Sequence, residues 1–313
     1  MSLAVVDDVL AALGGFSSHT RLYALQLGDG GDSGATGLMV EAFAADEALQ
    51  AVGVRDLILL STDAALDLEA LLGQPAALEA SLADGSRARF SGVVSEAAML
   101  GSFGGLARYR LRLQPWLWRL GQVRNSRVWQ DKTVIEIVDA VFGDHAPLAQ
   151  WRWSDEATSF MAAAGARSYC VQYRESDLDF VTRLLTEEGL AWRVEEAEQG
   201  HAVVLLADSS DARATPEDAS SAAAGGIRFH GARAGEAHDS IQESRARRSL
   251  RIGLSTVLSY DYKAKKAVAA SVPTAGAIGG PNAPALESYD TPGKYFFADG
   301  DAARRYAAAD AGQ

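Results

Sequence analysis

Residues 106–113, LARYRLRL, alternate without a break: Leu106, Arg108, Arg110 and Arg112 fall on one face and Ala107, Tyr109, Leu111 and Leu113 on the other. A period of two belongs to an extended chain. The segment is expected to be a strand with one wet side, in a sheet that covers an apolar layer. The runs before it have the same character. TRLYALQL, LMVEAFAAD, RDLILLS and AALEASLADGSRARFSGVVSEAAML are short and are separated by Gly, Asp, Ser and Pro. This spacing predicts antiparallel strands in a barrel or sandwich over 20–114. Asp84-Gly85 is a hairpin-turn dipeptide inside that run.

Pro115 closes the region and the pattern changes. The stretch 115–145 reads as two helical pieces, the second carried by Thr133, Val134, Ile137, Val138 and Val141 with Gly143 as a stop. Next comes YCVQYRESDLDFVTRLLTEEGLAWRVEE (169–196), which holds seven carboxylates. Local physics accounts for most of them. Ser176 stands at a helix N-cap, and Asp177 and Asp179 occupy the positive end of the helix dipole. Leu178, Val181 and Leu185 form an apolar stripe that Phe180 and Leu184 widen, and Gly189 stops the helix. Leu190, Trp192 and Val194 then alternate inward, while Glu187, Glu188, Glu195 and Glu196 are expected at exposed ends. An acid–base site would need a buried, raised-pKa acid beside an ionised one, and nothing in the pattern selects such a pair.

The remainder is β-rich again. Residues 207–226 are a linker in composition; strand patterns return in GIRFHGAR, DSIQESRARRSLRIG, STVLSYDY and AVAASV. The tail is expected to run from a Pro-Gly turn at 292–293 into a helix around 302–309. The organisation predicted is an N-terminal helix over 1–19, a first β domain over 20–114, an α+β domain over 115–206, a second β domain over 207–282 and an exit segment over 283–313.

QYRESDLDFVTRLLTEEGLAW resembles the signature of the VgrG family, the spike proteins of type VI secretion systems, and of the related hub proteins of contractile-tail phages. Gln172, Tyr173, Glu175, Ser176, Phe180, Arg183, Leu184, Glu188, Gly189 and Trp192 carry the resemblance. RLYALQL, LSYDYK (258–263), YDTPGKY (289–295) and the following ARRY support it. The resemblance implies a mainly β fold in which two β-barrel tube-like domains flank a smaller α+β region. It implies a homotrimer whose six barrels join a hexameric tube protein to a threefold spike or needle among baseplate proteins. It also implies assembly in the cytoplasm and export or injection with the tube. In the family an OB-like domain and a β-helical needle follow the hub region; piercing and effector activity are not expected of the sequence up to Gln313.

The charge and motif content agree with a structural role. A net charge of −12 argues against general affinity for nucleic acid or anionic membrane, and no membrane anchor is expected. The N-terminus carries Asp7 and Asp8 and no basic residue, so no secretory leader is expected. Cys170 is the single cysteine, which excludes an intrachain disulfide and a Cys-rich zinc site. His19, His145, His201, His230 and His238 form no H-E-x-x-H motif. GDGGDSG lacks the Gly-Lys-Ser/Thr ending of a phosphate loop, and no G-x-S-x-G elbow occurs. No catalytic residue, metal site or cofactor is expected, and a hydrolase with a dispersed site is the weaker alternative. Arg245, Arg247, Arg248 and Arg251 cluster in an expected strand within an acidic chain. Together with Arg108, Arg110 and Arg112 they are the candidate interface residues.

Overall fold

The computed structural model describes residues 22–28, 37–82, 85–197, 200–211, 215, 226, 228–229, 240–241, 243–246, 250–261, 265–274, 284, 286–294, 297 and 299–312. The expected helix over 1–19, most of the glycine-rich run at 28–34, and Arg247 and Arg248 lie outside them. The fold is mainly β.

The first β region is one antiparallel sheet of β1 (Tyr23–Leu27), β2 (Met39–Asp46), β3 (Val54–Ser61), β4 (Pro75–Ser81), β5 (Arg87–Phe103) and β6 (Leu106–Gln114), in the order β1-β4-β5-β6-β3-β2. The sheet curls into a half-barrel: the end strands meet where the Tyr23 ring abuts Phe43 edge-on, with centroids 5.0 Å apart. The LARYRLRL alternation sorts as expected. Ala107, Tyr109, Leu111 and Leu113 are buried in a core with Leu25, Leu57, Leu59 and Leu78, beneath the short helix α1 (Leu68–Leu71). On the wet face each arginine has a carboxylate on another strand of the sheet. Arg108 pairs with Glu41, Arg110 with Glu96, and Arg112 makes two 2.9 Å hydrogen bonds to Asp56. The Arg112 guanidinium holds the Asp56 carboxyl below the usual carboxylate range. The β4–β5 hairpin turns at Gly85, whose φ of +85° is open to glycine at little cost.

The middle region is α+β. A 3₁₀ helix (Trp116–Gln122) leads into β7 (Arg124–Trp129), then α2 (Val134–Gly143), β8 (Trp151–Trp153), α3 (Asp155–Met161), β9 (Cys170–Ser176), α4 (Asp177–Glu187), β10 (Ala191–Ala197) and β11 (Gly200–Leu206). β10, β11 and β8 form one sheet and β7 pairs antiparallel with β9. β7 corrects the reading of 115–145 as helical pieces alone. RNSRVW is extended because Asn125, Arg127 and Trp129 alternate toward the interior and β9, more than forty residues on, supplies the ladder. α2 begins at a full capping box between Thr133 and Glu136. Val134, Ile137, Val138, Val141, Phe180, Val181, Leu184, Leu185, Leu190 and Trp192 share one core. Leu178 lies at its edge, half-buried.

The last region is a sheet of β15 (Lys266–Pro273), β14 (Leu254–Asp261) and β16 (Glu287–Lys294), covered by α5 (Gly300–Gly312). Val257, Val268, Phe297, Ala303 and Ala307 form its core. The Pro-Gly pair expected as a turn lies inside β16 instead, which runs parallel to β14 past a register shift between Val257 and Ser259. A shift of this kind accommodates a proline that cannot donate to the ladder. The expected long strand DSIQESRARRSLRIG is also corrected. Its described part is a strand only at β13 (Ser240–Ile241), paired with β12 (Arg228–Phe229), and Arg245 and Arg251 lie outside strands.

Phe180 is fully buried at the centre of the middle core. Phe180→Ala is expected to lower stability by about 3–5 kcal/mol, the range for emptying a large aromatic site, measured as a shift in the urea midpoint. An unchanged midpoint would show that the α4 stripe does not organise this domain.

Candidate functional site

The signature segment folds around a carboxylate. Asp177, the first residue of α4, is 0% exposed. Its Oδ1 accepts from Asn125 Nδ2 at 2.9 Å and from Gln172 Nε2 at 2.7 Å. Its Oδ2 faces His145 Nε2 at 3.3 Å and Arg127 at 3.7 Å. Its backbone N–H donates to the Val123 carbonyl at 2.9 Å. Five segments therefore meet at this residue: the end of the 3₁₀ helix through its backbone, β7, the turn after α2 and β9 through its side chain, and its own helix α4. Asp177 does more than favour the helix dipole: it is buried, whereas Asp179 in the same turn is exposed. Ser176 caps α4 as expected, its Oγ accepting the Asp179 N–H at 3.0 Å.

A second network runs along the outer side of α4. Glu175 binds Arg183 through Nη2 at 2.6 Å and Nε at 3.2 Å, and Arg183 also reaches Glu187 and the Val171 carbonyl. The hydrogen bond to Glu175 raises the Arg183 pKa. The guanidinium lies over the Phe180 ring, 5.3 Å from its centroid. Glu187 and Glu188 are both taken up by Arg167, at 2.6 and 2.8 Å, and Glu188 also accepts from Arg305 of α5 at 2.9 Å. The expectation that these two glutamates sit at exposed ends is corrected: besides the local Arg183, they are held by Arg167 and Arg305, 20 or more positions away in sequence. Burial pushes the Arg167 pKa down, but the two carboxylates outweigh it and the net shift is upward. Gly189 has φ +73°, and a Cβ there would meet Ala309 Cβ of α5 at 3.1 Å. It is glycine for two reasons, the left-handed turn and the close approach of the C-terminal helix. Trp192 is buried in the core, and its carbonyl accepts from Gln50 at the half-barrel end.

Chemistry has little to work with here. Cys170 is buried, and burial pushes its thiol pKa up, away from nucleophilic thiolate. Among the described residues no group of three His, Cys, Asp or Glu side chains comes together as a metal site. The groove beside α4, about 410 Å³, is lined by Leu178, Asp179, Thr182, Arg183, Glu187 and Trp192. Its charged members already bind one another or Ser176. Of the expected interface residues, Arg108, Arg110 and Arg112 pair within the chain, as does exposed Arg245 with Glu243; Arg251 is exposed.

His201 fastens the start of the middle region, where the chain leaves the half-barrel, to β11. Pro115 offers no cap to the 3₁₀ helix, so the Trp116 N–H would be orphaned. His201 Nε2 accepts it at 2.7 Å from β11. Burial and the nearby Arg55 lower the His201 pKa from 6.5 to about 4. Between those values the unfolded chain binds a proton that the folded chain does not. Stability is level above pH 6.5 and falls as pH drops toward 4, by roughly 3 kcal/mol from this group. His201→Gln keeps an acceptor and removes the titration, so its urea midpoint is expected to fall less over pH 7 to 4. Parallel profiles for the two proteins would contradict this role.

Two solved structures have the same fold: a tail protein from Neisseria meningitidis MC58 (TM-score 0.53, 13% identity, covering 92% of this chain and 75% of that one) and the 43 kDa tail protein of prophage MuSo2 from Shewanella oneidensis (TM-score 0.51, 12% identity, 91% and 76%). In sequence, the type VI secretion system spike protein VgrG4b of Pseudomonas aeruginosa is 34% identical over 268 residues, 82% of this chain and 30% of VgrG4b. VgrG1c of the same organism is 33% identical over 201 residues, 64% and 26%. The chain thus spans less than a third of these relatives. The signature, the fold and a match of the phage tail baseplate hub (GPD) family over residues 46–313 agree, and the chain belongs to that family.

Proposed function

We propose that this chain is the structural hub segment of a contractile injection machine of the type VI secretion kind, a homotrimeric adaptor between a hexameric inner tube and a threefold spike. The observation that carries the reading is the hub-family match over 46–313, joined to a signature whose buried and charged members serve architecture. In this reading the half-barrel and the C-terminal sheet are the cores of two tube-like domains. Two per chain and three chains give six quasi-equivalent units, which meets sixfold symmetry on one side and threefold on the other. The partners are two further copies, the tube protein, the spike or needle and baseplate proteins, with assembly in the cytoplasm and export on contraction. The reading is non-enzymatic. A relative named actin cross-linking toxin VgrG1, from Vibrio cholerae, matches over 104 residues, 9% of its length, so its named activity is not carried over. The hub of a contractile phage or prophage is the second reading, favoured by tail-protein folds that cover most of the chain.

Three copies at −12 each repel one another at long range. The trimer is therefore expected to depend on concentration and to strengthen with salt. Light scattering over a concentration series should approach about 99 kDa, three times the 33.1 kDa chain mass. A stable dimer would contradict the ring.

A further inference from the structure

Tyr173 stands apart from the rest of the signature. Gln172, Glu175, Ser176, Arg183 and Glu188 each hold another part of the chain, and Phe180, Leu184 and Trp192 are core. Tyr173 is 70% exposed. It lies on the outer face of the β7–β9 ribbon with Val128, 56% exposed and directly opposite half-buried Val171; Tyr169, just before β9, is 60% exposed. Three large side chains exposed along one two-stranded ribbon and its entry form a surface that water covers poorly.

The edge of that surface is cationic. The ladder slips between Asn125 and Ser126, leaving Arg174 as the extra residue of a bulge, with φ +55°. A left-handed backbone at a residue with a long side chain costs free energy, and here it turns Arg174 outward beside Tyr173. Arg124, at the end of β7, is exposed next to the same bulge. The nearest acid in sequence, Glu175, is already bound to Arg183.

The opposite composition occurs elsewhere in the chain. Residues 56–86 contain six acids and no Lys, Arg or His. Asp56 and Glu79 are paired to Arg112 and Arg87, while Asp63, Asp67 and Glu69 sit exposed around α1 beside exposed Leu72. One face is aromatic and cationic, the other aliphatic and anionic. They lie on different parts of one molecule, which is the condition for a head-to-tail contact that closes a ring.

We infer that the β7–β9 ribbon is an interface for a second copy of this chain, with Tyr173 as its anchor and Arg124 and Arg174 facing the acidic 63–72 segment of the neighbour. The inference rests on the trimer reading above and assigns it a surface. Aromatic anchors ringed by charge are where interface energy concentrates, and the local charge match opposes the general repulsion between copies.

The test is sedimentation of the full chain at several concentrations, comparing wild type, Tyr173→Ser, Arg124→Glu/Arg174→Glu, and the latter combined with Asp63→Lys/Glu69→Lys. Every site is exposed, so circular dichroism melts are expected to match wild type. Tyr173→Ser is expected to raise the assembly dissociation constant by about tenfold or more, as for a central interface aromatic. The arginine reversal should weaken assembly further, and the combined charge swap should restore it. Trimers of unchanged affinity in the first two variants would overturn the surface while leaving the trimer reading intact. A wild-type chain that stays monomeric would overturn both. Loss on reversal without rescue by the swap would overturn the head-to-tail pairing with 63–72.

Discussion

A carboxylate with no solvent contact needs partners for both oxygens, since an unpaired buried charge is among the costliest defects a fold can carry. Asp177 meets that requirement by drawing in Asn125, Gln172, His145 and Arg127. These partners come from three pieces of the middle region: β7, the turn after α2 and β9. The register of β7 against β9, the entry of α4 and the position of the turn after α2 follow from one anion. The adjacent helix N-terminus adds its own positive end to the same point. Charged residues at this place in the sequence thus fix the relative placement of elements that apolar packing alone would leave free to slide.

The second network extends that placement outward. Arg183 and Arg167 clamp the outer side of α4, and Glu188 hands the contact on to Arg305 of the C-terminal helix. At the other end, the Gln50–Trp192 backbone bond and the Ser91 N–H bond to the Glu196 carboxylate fasten the half-barrel to the middle region. Most of these pairs are partly buried, so they are less screened than surface ion pairs. The result is a body in which a β region on either side is tied to one central α+β block.

What the sequence disclosed was what neighbours along the chain determine. LARYRLRL, the Ser176 cap, the α4 stripe and the Gly189 stop all read directly, because period and capping are local. What it withheld depends on partners far away. RNSRVW became a strand because β9 is there to pair with it. Glu187 and Glu188 looked like a solvated helix end because Arg167 and Arg305 lie 20 and 117 residues from their partners. The pairing of Arg108, Arg110 and Arg112 with Glu41, Glu96 and Asp56 was not legible, because those acids sit on three other strands. Pro292 read as a turn because a tolerated register shift in β16 has no sequence signature. Asp177 shows the limit most clearly: an acid in the first turn of a helix is ordinary, and only the closure of β7 over it makes it buried.

The central claim is that the acidic signature is architecture, with Asp177 as its keystone. Chemical denaturation of Asp177→Ala tests this most directly. Removing the carboxylate leaves Arg127, Asn125 and Gln172 without their common acceptor, and a loss of about 3 kcal/mol or more is predicted. A change within about 0.5 kcal/mol, the level of an ordinary surface substitution, would contradict the account.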